Sequence, residues 1–272
     1  MLKNEINEGI DEFGAPDEKY YAFDWDDNIV SMPTKIILKD EDGDEVGMST
    51  EDFATHREEI GKEPFDFDGH TIVGFGEEPF RYFGVKGDKQ FIVDSMTAKP
   101  GPAWEDFVEA INNGSIFSIV TARGHTPSIL KEACYNYIVS NINGIDSNEL
   151  VKNLEKYRDL ADEENVSKRE MIREYLDLCK FYPVSYGEGS ATNPEEGKIK
   201  ALKEFVNYVK EMSQHIQKKA FLKNKINNYF VPKIGFSDDD LKNVDVVKKH
   251  FEQDPENIIK TYSTAGGIKK EY

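Results

Sequence analysis

The chain has 272 residues and a formal net charge of −18, long enough for one large α/β domain or a core carrying a smaller inserted piece. A field of that sign repels polyphosphate backbones, which speaks against long nucleic acid as a partner. Hydrophobic residues make up 38% of the chain, enough for a real core. No apolar run approaches the ~18 residues of a membrane span, and "MLKNEINEGIDEF" has no signal-peptide pattern, so the expectation is a cytoplasmic protein without membrane contact.

Residues 1–19 are polar and acidic and are expected to form an arm. "YYAFDW" (residues 20–25) is the first strand, short, aromatic and ending in acids. A β-rich block follows over residues 33–95. In it "TKIILK" and "EVGM" flank Asp42-Gly43, a hairpin turn. Asp40, Asp42, Asp44 and Glu51 have calcium-loop spacing, but Glu45 stands where that loop needs glycine, so the hairpin is preferred. "STEDFATHREEI" suits a helix, and "HTIVGF", "FRYFGV" and "QFIVDSM" suit strands. The aromatics of the block (Phe65, Phe67, Phe75, Phe80, Tyr82, Phe83) are explained first as the packing of a small domain, with stacking on a base as the alternative.

Helical periodicity begins after "KPGP". Trp104, Phe107, Val108 and Ile111 fall at i, i+3, i+4 and i+7, and Gly114 ends the run. "SIFSIVTA" is a near-continuous apolar run suited to a central parallel strand. Helices are expected at about 127–142, 147–162 and 167–180, the last opened by a capping box from Ser167 to Glu170. "FYPVSYG" is the next strand. A long helix starts near Pro194, with Leu202, Phe205, Val206, Val209 and Met212 on one stripe. "VPKIGFS", "DDLKNVDVVKKHF" and "NIIKTYS" complete the chain as strand, helix and strand. This alternation predicts a doubly wound, Rossmann-like parallel sheet over residues 20–32 and 96–272, with extra helices at about 127–180 and the 33–95 block inserted as a β-rich cap. Cys134 and Cys179 lie in apolar, helix-like surroundings and are assigned to the core. The histidines form no spaced metal-binding cluster.

Ligands of open parallel sheets bind beyond the carboxyl ends of the strands. Asp24, Asp26, Asp27 and Asn28 stand at the first such end, Thr121, Arg123 and His125 at the second, and Ser237 with Asp238, Asp239 and Asp240 at a third. Lys198 opens the long helix, with Lys200 its near competitor. Carboxylates crowded from two strand ends call for a hard cation such as Mg²⁺. A hydroxyl and an ammonium converging on the same place suit a phosphoryl group. Each acid also has an ordinary explanation as a solvated face or helix cap, and Asp239 and Asp240 sit where they would cap the following helix.

In order and type, "FDWDDNIV", "SIVTARGH", "NPEEGKIKAL" and "IGFSDDDLKNV" resemble the four motifs of the haloacid dehalogenase-like superfamily of phosphohydrolases and, more loosely, its phage-type members. The likeness runs from about residue 20 to 262. It implies Asp24 as the nucleophile forming an aspartyl-phosphate, and Asp26 as the acid that protonates the leaving alcohol and then the base that activates water. Mg²⁺ would be held by the Asp24 carboxylate, the Asp26 backbone carbonyl and Asp238, with Asp239 as second choice. Thr121 and Lys198 would bind the phosphoryl oxygens. Many members have Gly-Thr after the second aspartate; here Asp27-Asn28 stands there, and Asn28 is taken as the substitute contact to substrate. Arg123 is a further candidate contact to substrate.

The implied function is a Mg²⁺-dependent phosphomonoesterase acting on a small phosphorylated metabolite or nucleotide. Two alternatives stand beside it. A polynucleotide-end phosphatase could use the basic stretch holding Lys218, Lys219, Lys223 and Lys225. A non-catalytic phosphate-binding or receiver-like protein would use Asp, Thr and Lys without turnover.

Overall fold

The computed structural model describes residues 19–187, 193–226, 228–254, 256 and 258–272. The expected N-terminal arm falls almost wholly outside them. In chain order the elements are β1 (Lys19–Phe23), β2 (Val30–Ser31), β3 (Ile36–Asp40), β4 (Glu45–Met48), α1 (Thr50–His56), β5 (Phe65–Phe67), β6 (His70–Phe75), α2 (Asp88–Thr97), β7 (Lys99–Pro100), α3 (Trp104–Asn112), β8 (Phe117–Thr121), α4 (Pro127–Ser140), α5 (Ser147–Ala161), α6 (Lys168–Leu178), β9 (Lys180–Pro183), α7 (Pro194–Leu222), β10 (Lys233–Asp238), α8 (Leu241–Phe251), β11 (Ile259–Ser263) and β12 (Lys270–Glu271).

Six strands form a mostly parallel sheet in the order β12-β11-β10-β1-β8-β9, with only β12 antiparallel to its neighbour. Strand periodicity divides the core between its two faces. Phe23, Phe117 and Ile119 pack with Phe91 of α2, Phe107 of α3, Leu130 and Tyr137 of α4 and Tyr175 of α6. Tyr20, Ala22, Val120, Ile234 and Phe236 pack on the other side with Leu202, Phe205 and Val209 of α7 and Val247 of α8. Every residue of β8 is buried, as the unbroken apolar run requires. The predicted helix starts hold closely: the Ser167 side chain accepts a hydrogen bond from the Glu170 amide and caps α6.

A separate four-stranded antiparallel sheet, β4-β3-β6-β5, occupies the chain between β2 and α2. Its core is aliphatic: Ile36, Leu38, Val46, Met48, Ile60 and Ile72. The Asp42-Gly43 turn closes its first hairpin, with Gly43 at φ +91° where a side chain would be strained. The short β2–β7 pair sets the two chain crossings into and out of this region side by side.

Two expected strands are absent. "FRYFGV" forms turns, with the Phe83 amide donating to the Phe80 carbonyl. "QFIVDSM" lies in helix α2. Its β-branched Ile92-Val93 pair suggests a strand, but the buried positions are Phe91, Asp94 and Ser95, at helical spacing. Asp94 accepts from Thr34 Oγ1 and Gln90 Nε2, both at 2.8 Å. A tertiary polar contact therefore carries a helical stripe that hydropathy alone does not register.

Candidate functional site

β1 lies between β8 and β10, and the chain leaves it toward β8 and β9 on one side and returns to β10 and β11 on the other. The strand order thus reverses at β1, which opens a crevice at the carboxyl ends of β1, β8 and β10. A cleft of about 620 Å³ lies there, lined by residues from all three ends, from the start of α7 and from the small antiparallel sheet region.

The β1 end is built by alternation about Trp25. Its indole is fully buried and stacks on Tyr137, with ring centroids 6.0 Å apart. The flanking Asp24 and Asp26 line the cleft. The Asp24 amide still donates to the Ser237 carbonyl at 3.0 Å, so its carboxylate is fixed to the β1–β10 ladder. Asp27 follows with φ +53° and accepts from Thr50 Oγ1 of α1.

Lys198 reaches the site because it shares the buried stripe of α7 with Ala201, Leu202 and Phe205. Its Nζ lies 2.7 Å from Asp24 Oδ1 and 2.7 Å from Asp238 Oδ2. The competing Lys200 is exposed. Asp238 is fully buried at the end of β10, and its Oδ1 accepts from the Asp240 amide at 3.0 Å and Asn243 Nδ2 at 3.1 Å. Asp240 is the N-cap of α8 and also meets Arg57 at 3.2 Å. Of the two acids expected to cap, then, Asp240 does so, while Asp239 joins Asp24 and Asp238. Ligand atoms of these three lie within 4.8 Å of one another.

Thr121 ends β8, buried and lining the cleft, and its Oγ1 accepts from the Arg123 amide at 3.3 Å. The Arg123 guanidinium grips Asp26 with both arms, Nε to Oδ2 and Nη2 to Oδ1, each at 2.7 Å. This planar fork fixes the carboxylate's position and rotation. Arg123 is itself held from behind. Its Nη1 lies 3.3 Å from His125 Nε2, and His125 Nδ1 lies 2.8 Å from Asp88 Oδ1. The partners assign a neutral imidazole, donating from Nδ1 to the carboxylate and accepting at Nε2. Burial and the neighbouring guanidinium push His125 below its ordinary pKa, against the pull of Asp88. Phe83 and Phe91 face the guanidinium, at 4.5 and 5.2 Å from their centroids. The loop tightens at Gly124, whose amide donates to the Phe83 carbonyl at 2.7 Å; a Cβ there would stand 2.9 Å from the Ser185 carbonyl oxygen.

One expected contact is not in the cleft. Asn28 is fully buried and sutures three strand ends. Its Nδ2 donates toward the Asp24 carbonyl and toward Ser237 O and Oγ at 3.0–3.1 Å, and its Oδ1 accepts from Thr264 at 2.8 Å. Its amide is taken up by protein, so its role is to hold β1, β10 and the end of β11 together, not to touch substrate.

Seven carboxylates (Asp24, Asp26, Asp27, Glu195, Asp238, Asp239, Asp240) thus line the cleft with three cations, Lys198, Arg123 and Arg57. Burial pushes Asp24 up to about 8, with Lys198 pulling it back and Asp238 and Asp26 adding to the rise. Burial, then Asp238 and Asp24, push Asp239 up to about 9. Burial works against the charge on Lys198, but Asp238 and Asp24 outweigh it and raise its pKa. The Asp24, Asp238 and Asp239 group is a hard, all-oxygen donor set that fits a Mg²⁺-like cation, and such an ion would supply the positive charge the carboxylates lack.

Asp88, Arg57, Phe53 and Asn243 escaped the sequence reading. Only Asn243 carries a local signal, since the third position of a helix after an acidic strand end faces back toward it. A second cavity of about 470 Å³ between α5, α6 and α7 is lined mainly by apolar side chains and shares no residue with the acidic cleft. No helix among the described residues is long and apolar enough to cross a membrane. No protein-family model, curated protein or solved structure matches the chain.

Proposed function

We propose that the protein is a Mg²⁺-dependent phosphomonoesterase of the haloacid dehalogenase-like superfamily, with a doubly wound, Rossmann-like core, acting on a small phosphorylated metabolite or nucleotide. The observation that carries this reading is Lys198 Nζ, 2.7 Å from both Asp24 and Asp238, at strand ends that also gather Asp26 and Thr121. The reversal of strand order at β1 supports the doubly wound reading.

Asp24, Asp238 and Asp239 would hold Mg²⁺, which when bound offsets charge on the phosphoryl oxygens and among the carboxylates. Asp24 attacks phosphorus, and the bond from phosphorus to the ester oxygen breaks as Asp26 gives that oxygen a proton. Asp26, now a carboxylate, takes a proton from water. The water oxygen attacks phosphorus, the bond to Asp24 breaks, and inorganic phosphate leaves. Lys198 and Thr121 stabilise the phosphoryl oxygens. Both arms of Arg123 hold Asp26, so Arg123 positions the acid.

The polynucleotide alternative loses ground on geometry. Lys218 lies 20 residues beyond Lys198 on the same helix, roughly 30 Å at ~1.5 Å per residue. Lys223 is engaged by Asp162. The test is hydrolysis of p-nitrophenyl phosphate and acetyl phosphate with Mg²⁺, with EDTA, and by Asp24→Asn. Turnover that needs Mg²⁺ and Asp24 supports the reading. A stable phosphoprotein without turnover would move the protein to the receiver-like class.

A further inference from the structure

The cleft has a second wall of different chemistry. Phe53, Phe80 and Phe83 line it together with the carboxylates. They form a run of ring contacts: Phe53 to Phe80 at 5.6 Å and Phe80 to Phe83 at 6.0 Å, both near edge-to-face. Phe80 is 44% exposed. The small sheet closes its own core with aliphatic residues, and Phe53, Phe65, Phe67 and Phe83 pack against that core, with Phe80 outside them as the more exposed ring. Phe80 packs against three rings, Phe53, Phe75 and Phe83, and still leaves part of its apolar surface open to solvent at the cleft.

The wall begins beside the group proposed to protonate the leaving oxygen. Asp26 is gripped by Arg123 at 2.7 Å, and the guanidinium lies 4.5 Å from the Phe83 centroid. The rings therefore stand on the leaving-group side. The remaining charged lining is mainly acidic, Asp27, Glu195 and Asp240, with Arg57 as a cation already engaged by Asp240 and Thr50, Ser185 and Asn243 as neutral polar groups. A substrate carrying negative charge beyond its one phosphate would meet repulsion there.

We infer that the cleft selects monophosphate esters whose alcohol carries a neutral aromatic ring, a nucleoside monophosphate or an aryl phosphate, with Phe80 as the specificity-determining residue. The inference rests on the phosphomonoesterase reading and deepens it. Stacking on an aromatic side chain tolerates any base and also any aryl group, because each presents a π-face.

The test uses the full chain with Mg²⁺ and compares kcat/KM for 5′-AMP, phenyl phosphate, ribose 5-phosphate and 5′-ADP in wild type, Phe80→Ala and Phe80→Tyr. The ratio of 5′-AMP or phenyl phosphate to ribose 5-phosphate is expected to exceed ten in wild type. It should fall about 5- to 150-fold in Phe80→Ala, the range set by loss of one stacking partner, and recover in Phe80→Tyr. Preference for 5′-AMP assigns the nucleotide source, and preference for phenyl phosphate the aryl source. Turnover of ribose 5-phosphate as good as that of the aromatic esters, with a ratio indifferent to Phe80, overturns the inference and leaves the phosphatase reading standing. If no phosphate ester or acetyl phosphate is turned over, that reading falls, and calorimetry with 5′-AMP decides the wall. Binding weakened by Phe80→Ala upholds it, and absence of binding overturns it.

Discussion

Lys198→Met is the most informative single perturbation, because it keeps the length of the stem and deletes a charge that two buried carboxylates share at 2.7 Å. Removing one partner of a buried ion pair costs about 3–5 kcal/mol. An abandoned carboxyl can instead take a proton, and that sets a ceiling on the cost. Holding a carboxyl of ordinary pKa 3.8 neutral costs about 1.4 kcal/mol per pH unit above that value: about 6 kcal/mol at pH 8 and about 1.6 at pH 5. The penalty should therefore be the full 3–5 kcal/mol at pH 8 and no more than about 1.6 kcal/mol at pH 5. The sign follows from linkage. The variant's native state holds a proton that its unfolded state has released, so its stability falls as pH rises. Asp24, near 8 in wild type, already holds its proton at pH 5, so the pH dependence of the gap comes from the second carboxylate that Lys198 leaves behind; the raised pKa of Lys198 acts only above its ordinary 10.5, outside this window. At roughly 2–4 °C per kcal/mol for a chain of this size, the melting temperature in EDTA should drop about 6–20 °C at pH 8 and less than about 7 °C at pH 5. Adding Asp238→Asn should recover part of the loss at pH 8. Equal stabilities at pH 8, or a gap that widens toward pH 5, would refute the reasoning.

Three other perturbations probe separate parts of the site. With Asp24 and Asp239 both raised by burial and by neighbouring carboxylates, a bound Mg²⁺ must displace protons, so its affinity should rise from pH 6 to 9 with net proton release at pH 7. Titration calorimetry in buffers of different ionisation enthalpy reads this, and binding without proton release contradicts it. Arg123→Lys keeps the charge but loses the two-armed grip on Asp26. Because nitrophenolate leaves without a proton and an alkoxide does not, the variant should lose about tenfold more activity on an alkyl phosphate than on p-nitrophenyl phosphate; equal losses would remove Asp26 from leaving-group protonation. His125, held below its ordinary 6.5 by burial, is neutral in the native state where the unfolded chain is protonated. Its contribution is complete above pH 6.5 and is lost as pH falls below it, so wild type should lose more stability than His125→Gln between pH 6.5 and 5 in denaturant titrations; parallel curves would show that His125 does not change its protonation on folding.

The parallel sheet and the placement of its acids were legible because each rests on a local pattern. The apolar run of β8, the stripe of α7 that carries Lys198 beside Ala201 and Leu202, and the acids at the ends of β1 and β10 are periodicities that survive folding. The small-sheet region was legible in its hairpin, in "HTIVGF" as β6 and in "STEDFATHREEI" as α1, but not beyond. There α2 was hidden because a buried aspartate, satisfied by Thr34 and Gln90, occupies a position where the helical pattern needs an apolar residue. Asn28 misled for a related reason: a side-chain amide after an acidic strand end suits a ligand and a suture equally, and only the positions of Ser237 and Thr264, over 200 residues away, decide between them.

The sequence could not show how the acids are divided. They look equivalent in "DWDD" and "SDDD", yet the fold gives Asp26 to Arg123, Asp24 and Asp238 to Lys198, Asp240 to a helix terminus and Arg57, and leaves Asp239 beside Asp24 and Asp238. That division separates the proposed proton carrier from the proposed cation site within a few residues of chain. A guanidinium fork can hold a carboxylate in one plane while an ammonium draws two others together, and the two cations cannot exchange places because their geometries differ. Asp26 is thereby kept out of the Asp24, Asp238 and Asp239 group although it is two residues from its first member. Arg123 is backed by His125 and Asp88 and faced by Phe83, so the position of Asp26 is set jointly by the sheet and by the chain that forms the aromatic wall. A ligand that presses on Phe83 would move Asp26, the group proposed to protonate it, and on that reading substrate selection and proton delivery would share one contact.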